Sequence, residues 1–123
     1  MSAAHVLIVE DDGWLAEQYQ RVLEKAGYET NVALNAPAAI DAVDDQKPDV
    51  ILLDVLLTGS TAFALMNELQ SYTDTGDIPI ILCTNLAADL SIDKLKPYGV
   101  KKILDKATMS VDDIVAAVRS VTL

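Results

Sequence analysis

Five apolar runs recur along the chain: Val6 to Val9, Tyr28 to Ala33, Val50 to Leu53, Ile78 to Cys83 and Val100 to Leu104. Three of them are nearly unbroken in Val, Ile and Leu, which suits central parallel strands covered on both faces. The second alternates instead, through Tyr28, Thr30 and Val32. Between the runs the apolar positions take helical spacing. Leu15, Tyr19, Val22, Leu23 and Ala26 share one helix face, and Gly27 follows as a left-handed C-cap. Pro37 falls in the first turn of a second helix, where a missing N–H costs nothing. Ala62, Leu65, Met66 and Leu69 mark a third. A fourth, around Ala88 to Lys96, has the faintest periodicity and is closed by Gly99. Ser110 and Asp113 form a capping box for a fifth, which packs Ile114, Val115, Val118 and Val121.

A regular (βα)5 alternation predicts an α/β fold: a doubly wound three-layer sandwich, with a five-stranded parallel sheet and right-handed crossovers. Five strands are too few for an eight-stranded barrel, and the expected strand order is 2-1-3-4-5. No internal repeat or linker interrupts the pattern, so residues 1–123 read as one domain. In such sheets a ligand binds beyond the carboxyl ends of the strands, where the order reverses.

The polar residues at those ends are chemical. The first run stops at Glu10-Asp11-Asp12, the third at Asp54 and the fourth at Thr84, while Asp105 and Lys106 follow the fifth. The first and third strands are neighbours in this order, about 4.8 Å apart, so their carboxylates crowd. Crowded like charges call for a divalent cation, and carboxylates with a backbone carbonyl and water make the hard oxygen site that Mg²⁺ prefers. Lys106 adds a fixed positive charge and Thr84 a hydroxyl. The set suits phosphoryl transfer to a carboxylate, with Asp54 as nucleophile. Asp12 reads as a helix cap instead.

Composition narrows the partners. Nine Lys and Arg against nineteen Asp and Glu leave a net charge of −10, which repels phosphate backbones and argues against direct nucleic-acid binding. No apolar run approaches the ~18 residues of a membrane span, and acids follow the first run too soon for a signal peptide. Hydrophobic residues are 51% of the chain, enough for a core without disulfides. Cys83 is the only cysteine and sits in an apolar run, which predicts a buried, inert thiol and a reducing, cytoplasmic setting. Trp14 is expected to pack at the start of the first helix near the acidic residues, and His5 to lie at an edge or on the surface.

Four segments, VLIVEDD, VILLDVLL, IPIILCT and KKILDK, together resemble the signature segments of response-regulator receiver domains, including the chemotaxis regulators. Asp11, Asp54, Thr84 and Lys106 follow one another at intervals of 43, 30 and 22 residues, and the likeness covers essentially the whole chain. The resemblance implies a flavodoxin-like phosphorelay switch that catalyses only its own phosphorylation and dephosphorylation. Asp54 would be the phosphoacceptor. Glu10, Asp11, Asp54 and the backbone carbonyl of Leu56 would hold Mg²⁺. Thr84 and Lys106 would bind the phosphoryl group. The donor would be a sensor histidine kinase or a histidine phosphotransfer protein. Leu56 and Leu86 occupy positions that control water at the acyl phosphate, and two leucines there imply slow hydrolysis.

The chain departs from that pattern at Thr58 and Ala107, where the family has proline, and at Ala62, where it has glycine. It also has Ile103 at an aromatic position and Asn85 at a small one. None of these touches Glu10, Asp11, Asp54, Thr84 or Lys106; they bear on output. Two other functions remain open. A pseudo-receiver scaffold would bind a partner without phosphorylation. An aspartyl-phosphate phosphatase of the haloacid-dehalogenase type would need a second Asp where Leu56 stands. A flavin or nucleotide binder lacks its Gly-rich loop after the first strand.

Overall fold

The structure, a computed structural model, describes residues 3–57 and 60–122. β1 (His5–Val9) runs through α1 (Gly13–Lys25) to β2 (Glu29–Ala33), and α2 (Ala36–Asp45) leads to β3 (Val50–Leu53). A small antiparallel ribbon, β4 (Leu56–Leu57) against β5 (Ser60–Thr61), precedes α3 (Ala62–Gln70). Then come β6 (Ile80–Thr84), a short α4 (Ile92–Leu95), β7 (Val100–Asp105) and α5 (Val111–Thr122). Five strands form one parallel sheet in the order β2-β1-β3-β6-β7. Counting sheet strands alone, this is the expected 2-1-3-4-5.

Period-two alternation in the central strands divides the core into two layers. β1, β3 and β6 turn Leu7, Val9, Ile51, Leu53, Ile80 and Leu82 toward α2 and α3. The alternate residues Val6, Ile8, Val50, Leu52, Ile81 and Cys83 face α1 and α5. Strands this continuously apolar are stable only between two helical layers, and that requirement holds the polar strand ends at the rim.

The caps follow the sequence. Asp12 Oδ1 accepts from Leu15 N–H at 3.2 Å, and Gly27 has φ of 99°. Ser110 and Asp113 cap each other reciprocally, at 2.8 and 3.3 Å. The fourth helix is the largest correction. In place of a helix around Ala88 to Lys96 there are a 3₁₀ turn at Ala87–Asp89, α4 and a second 3₁₀ turn at Lys96–Tyr98. Leu90 is extended, Ser91 makes no side-chain cap bond, and Pro97 lacks the N–H that would continue the helix. Gly99 then turns the chain at φ of 89°, with its α-carbon so near β6 that an added Cβ would stand 2.9 Å from the Ile78 carbonyl oxygen.

Two side chains lie elsewhere than expected. His5 is buried, because β1 is flanked by β2 on one side and β3 on the other. Trp14 is 69% exposed rather than packed, since its place on α1 points away from the Ala16, Tyr19 and Leu23 stripe that meets the sheet. The ribbon after β3 was not anticipated. Thr58 and Gly59 lie outside the described residues, and with them the departure at Thr58.

Candidate functional site

The carboxyl ends of β1, β3, β6 and β7 converge on one rim. Asp54 N–H donates to the Val9 carbonyl at 3.1 Å, which carries the ladder one residue past β3 and sets Asp54 beside Glu10. Glu10 is tied in the same way, its N–H donating to the Ala33 carbonyl at 3.1 Å. Both side chains are buried, whereas Asp11, at the start of the loop, is exposed. Glu10, Asp11 and Asp54 can each offer an oxygen within 4.8 Å of the others. Three hard oxygen donors at that spacing suit a divalent cation.

Lys106 reaches into this cluster from the end of β7. Its Nζ donates to Glu10 Oε1 at 2.5 Å and to Asp54 Oδ2 at 3.0 Å. The other Glu10 oxygen accepts from Asp12 N–H at 3.3 Å. Burial raises the Glu10 carboxyl to about 7, an effect that Lys106 offsets only in part. Burial draws Lys106 down, but its hydrogen bonds to Glu10 and Asp54 and their charges prevail, so the ammonium is held above its ordinary range.

Thr84 ends β6 and is fully buried. Its Oγ1 accepts from Leu86 N–H at 3.1 Å, so its own proton remains to be donated. Its carbonyl accepts from Lys106 N–H at 3.1 Å, and Thr84 pairs in register with Asp105. Leu56 lies in the ribbon, two residues beyond Asp54. Leu86 is half-buried. Ile103 is half-buried too and packs toward the α2 and α3 layer. The Lys106–Ala107 peptide is trans, as is every described peptide bond.

Beneath the cluster the sequence reading missed a polar chain. Tyr19 Oη lies 3.6 Å from Cys83 Sγ, which in turn donates to Met109 Sδ at 3.2 Å. Burial pushes the Cys83 thiol up to about 11, consistent with an inert group. Nothing in the spacing of Tyr19, Cys83 and Met109 announces this contact, because three separate elements bring them together. On the α1 and α5 side, Trp14, Gln18, Lys106, Met109 and Val111 help line a groove of about 330 Å³.

Comparison with known proteins agrees with this geometry. The family described as the response regulator receiver domain matches residues 6–119. The phosphate regulon transcriptional regulatory protein PhoB of Pseudomonas aeruginosa is 42% identical over 79 residues, 64% of this chain and 34% of that protein. The sensory transduction protein RegX3 of Mycobacterium bovis is 32% identical over 111 residues, 80% and 47% of the respective lengths. The chain thus spans half or less of the length of these relatives. Among solved structures, the signal receiver domain of a signal transduction histidine kinase from Syntrophus aciditrophicus superposes with a TM-score of 0.82 at 28% identity. That match covers 98% of this chain and 90% of the other. Chemotaxis protein CheY4 of Vibrio cholerae shares the fold, with a TM-score of 0.85 at 24% identity over 98% and 99% of the two chains.

Proposed function

The chain belongs to the response-regulator receiver domain family, and from that premise we propose that Asp54 is the phosphoacceptor of a two-component phosphorelay. An Asp54 carboxylate oxygen attacks the phosphorus of a phosphohistidine on a sensor histidine kinase or a histidine phosphotransfer protein. The N–P bond breaks as the O–P bond forms, and the leaving imidazole takes up a proton. The observation that carries this reading is the joint contact of Lys106 with Glu10 and Asp54 beside the three-carboxylate cluster. Receiver domains are regulatory rather than turnover enzymes, and the reaction here is the chain's own phosphorylation and its reversal.

Glu10, Asp11, Asp54 and the Leu56 carbonyl would hold Mg²⁺, and their oxygen donors fit that ion. When bound, Mg²⁺ neutralises charge on the transferring group. The protein's own groups do the rest. Lys106 stands over Asp54 to pair with the incoming phosphoryl oxygens. Thr84 donates its hydroxyl proton to another, which requires a fully buried side chain to turn toward the rim. The conformation in which both groups grip the phosphoryl oxygens gains population. The end of β6, α4 and β7 is the face that moves. The donor approaches over the α1 and α5 side, where Trp14 and Val111 are exposed and border a groove that Lys106 also lines.

Intact-mass measurement after incubation with acetyl phosphate and Mg²⁺ tests the reading. One phosphate adduct is expected, absent in Asp54→Asn and without metal. Absence of any adduct, together with an unchanged spectrum on adding beryllofluoride, would sink it and favour the phosphorylation-independent scaffold.

A further inference from the structure

A lysine ammonium ends a long flexible stem, so it is placed only as well as the main chain beneath it. Lys106 begins the short segment between β7 and α5, and a single residue, Asp105, holds that segment three times. The Asp105 carbonyl accepts from Thr108 N–H at 3.2 Å and from Met109 N–H at 2.8 Å. Its side-chain Oδ1 accepts from Ala107 N–H at 2.9 Å. The last bond spans Lys106 and closes an Asx turn, which fixes the peptide plane directly after the lysine. On the other side, Lys106 N–H donates to the Thr84 carbonyl.

We propose that Asp105 is a positioning residue for Lys106. By closing a turn on Ala107 N–H, its carboxylate holds the lysine main chain where the ammonium bridges Glu10 and Asp54. The proposal rests on the reading of Lys106 given above and adds what aims it. Helix nucleation does not account for the bond, because Ser110 and Asp113 cap α5 on their own. The bond also needs an N–H at position 107, which alanine has and proline lacks.

The test compares Asp105→Ala, Asp105→Asn and Ala107→Pro in the whole chain, with two readouts. The first is the rate of phosphorylation by acetyl phosphate at saturating Mg²⁺. The second is the Lys106 side-chain NMR signal in metal-free protein, which needs no phosphorylation. Asp105→Asn keeps an acceptor oxygen and should match the parent in both. Asp105→Ala and Ala107→Pro should lose about fivefold in rate, the weight of one net hydrogen bond. Both should also move the Lys106 signal toward those of solvent-exposed lysines. In a Lys106→Ala background, Asp105→Ala should cost nothing further. An unchanged Lys106 signal in a folded Asp105→Ala protein overturns the inference, as does an equal loss in the Lys106→Ala background. If the parent chain neither takes a phosphoryl group nor responds to beryllofluoride, the phosphoacceptor reading fails, and the NMR arm still decides for or against Asp105.

Discussion

Burial lifts the Glu10 carboxyl from an ordinary 4.5 to about 7, and this has a consequence for stability. An acid whose folded value is raised holds its proton in the fold while the unfolded chain has released it. Stability is therefore fullest below 4.5 and is lost as pH rises through about 7. In the absence of metal, the protein should be less stable at pH 8 than at pH 5.5 by an amount on the order of 2 kcal/mol, and so melt at a lower temperature. Glu10→Gln should flatten the profile; a slope unchanged in that variant would place the titrating group elsewhere. Lys106, raised in the fold, contributes stability that is lost only above its ordinary 10.5, outside this window. Leu86 sits half-buried two residues past Thr84, tied to it through its N–H. On the proposed reading, an apolar side chain there would keep water from an acyl phosphate on Asp54. Leu86→Glu should shorten the phosphoryl lifetime several-fold, followed by decay of the adduct mass. At this scale the sequence was informative for Glu10, Asp11, Asp54 and Lys106, because each lies within two residues of the end of an apolar run and the strand order brings the runs together. It was uninformative for Asp105 and Met109, whose contacts arise in a turn with no periodic signal.

Elements were legible where a strong local pattern met a matching tertiary demand. β1, β3 and β6 are continuous in apolar residues and lie between two helical layers, so pattern and burial agree. β2 does not behave this way. Its Tyr28, Thr30 and Val32 alternation suggests a buried face, yet Val32 is exposed at the sheet edge and Ala33 supplies the buried contact. The segment from Ala87 to Tyr98 fails for a different reason. Its apolar residues are spaced for a helix, but Leu90 and Pro97 break the hydrogen-bond ladder into pieces too short to sustain themselves. What anchors this stretch is Leu95 in the core, with Leu90, Ile92 and Tyr98 packed against it, and the return through Gly99, whose carbonyl accepts from Ile80 N–H at 2.9 Å and which leaves no room for a Cβ beside Ile78. Gly99→Ala should therefore destabilise the fold by about 2 kcal/mol from the left-handed backbone alone, with the carbonyl contact adding to it. Denaturant unfolding gives the value directly. A loss no larger than that of an exposed alanine substitution would mean that the segment relaxes away from β6.

Across the whole molecule the balance of charge is unfavourable to the apo fold. The chain carries −10, and three of its carboxylates are gathered at one rim with Lys106 as the cation shown bridging two of them. The topology makes this unavoidable, because a doubly wound sheet places the ends of β1 and β3 side by side. A cation bound there should stabilise the fold in proportion to its occupancy, since the unfolded chain has no such cluster. At a free Mg²⁺ concentration a hundred times the dissociation constant, linkage predicts about 2.7 kcal/mol of stabilisation. For a domain of this size that raises the melting temperature by roughly 10 °C. The gain should shrink as pH falls through the Glu10 transition, because metal and proton compete for the same cluster. Asp11→Ala separates this binding from general screening of a −10 chain. Its exposed carboxylate contributes little to packing, so the variant should fold with a melting temperature near the parent's in the absence of metal and gain almost nothing from Mg²⁺. Na⁺ at equal ionic strength controls for screening. If Mg²⁺ raised the melting temperature of Asp11→Ala and parent alike, the cation would be acting on the molecule's overall charge and the three-carboxylate cluster would not be its site.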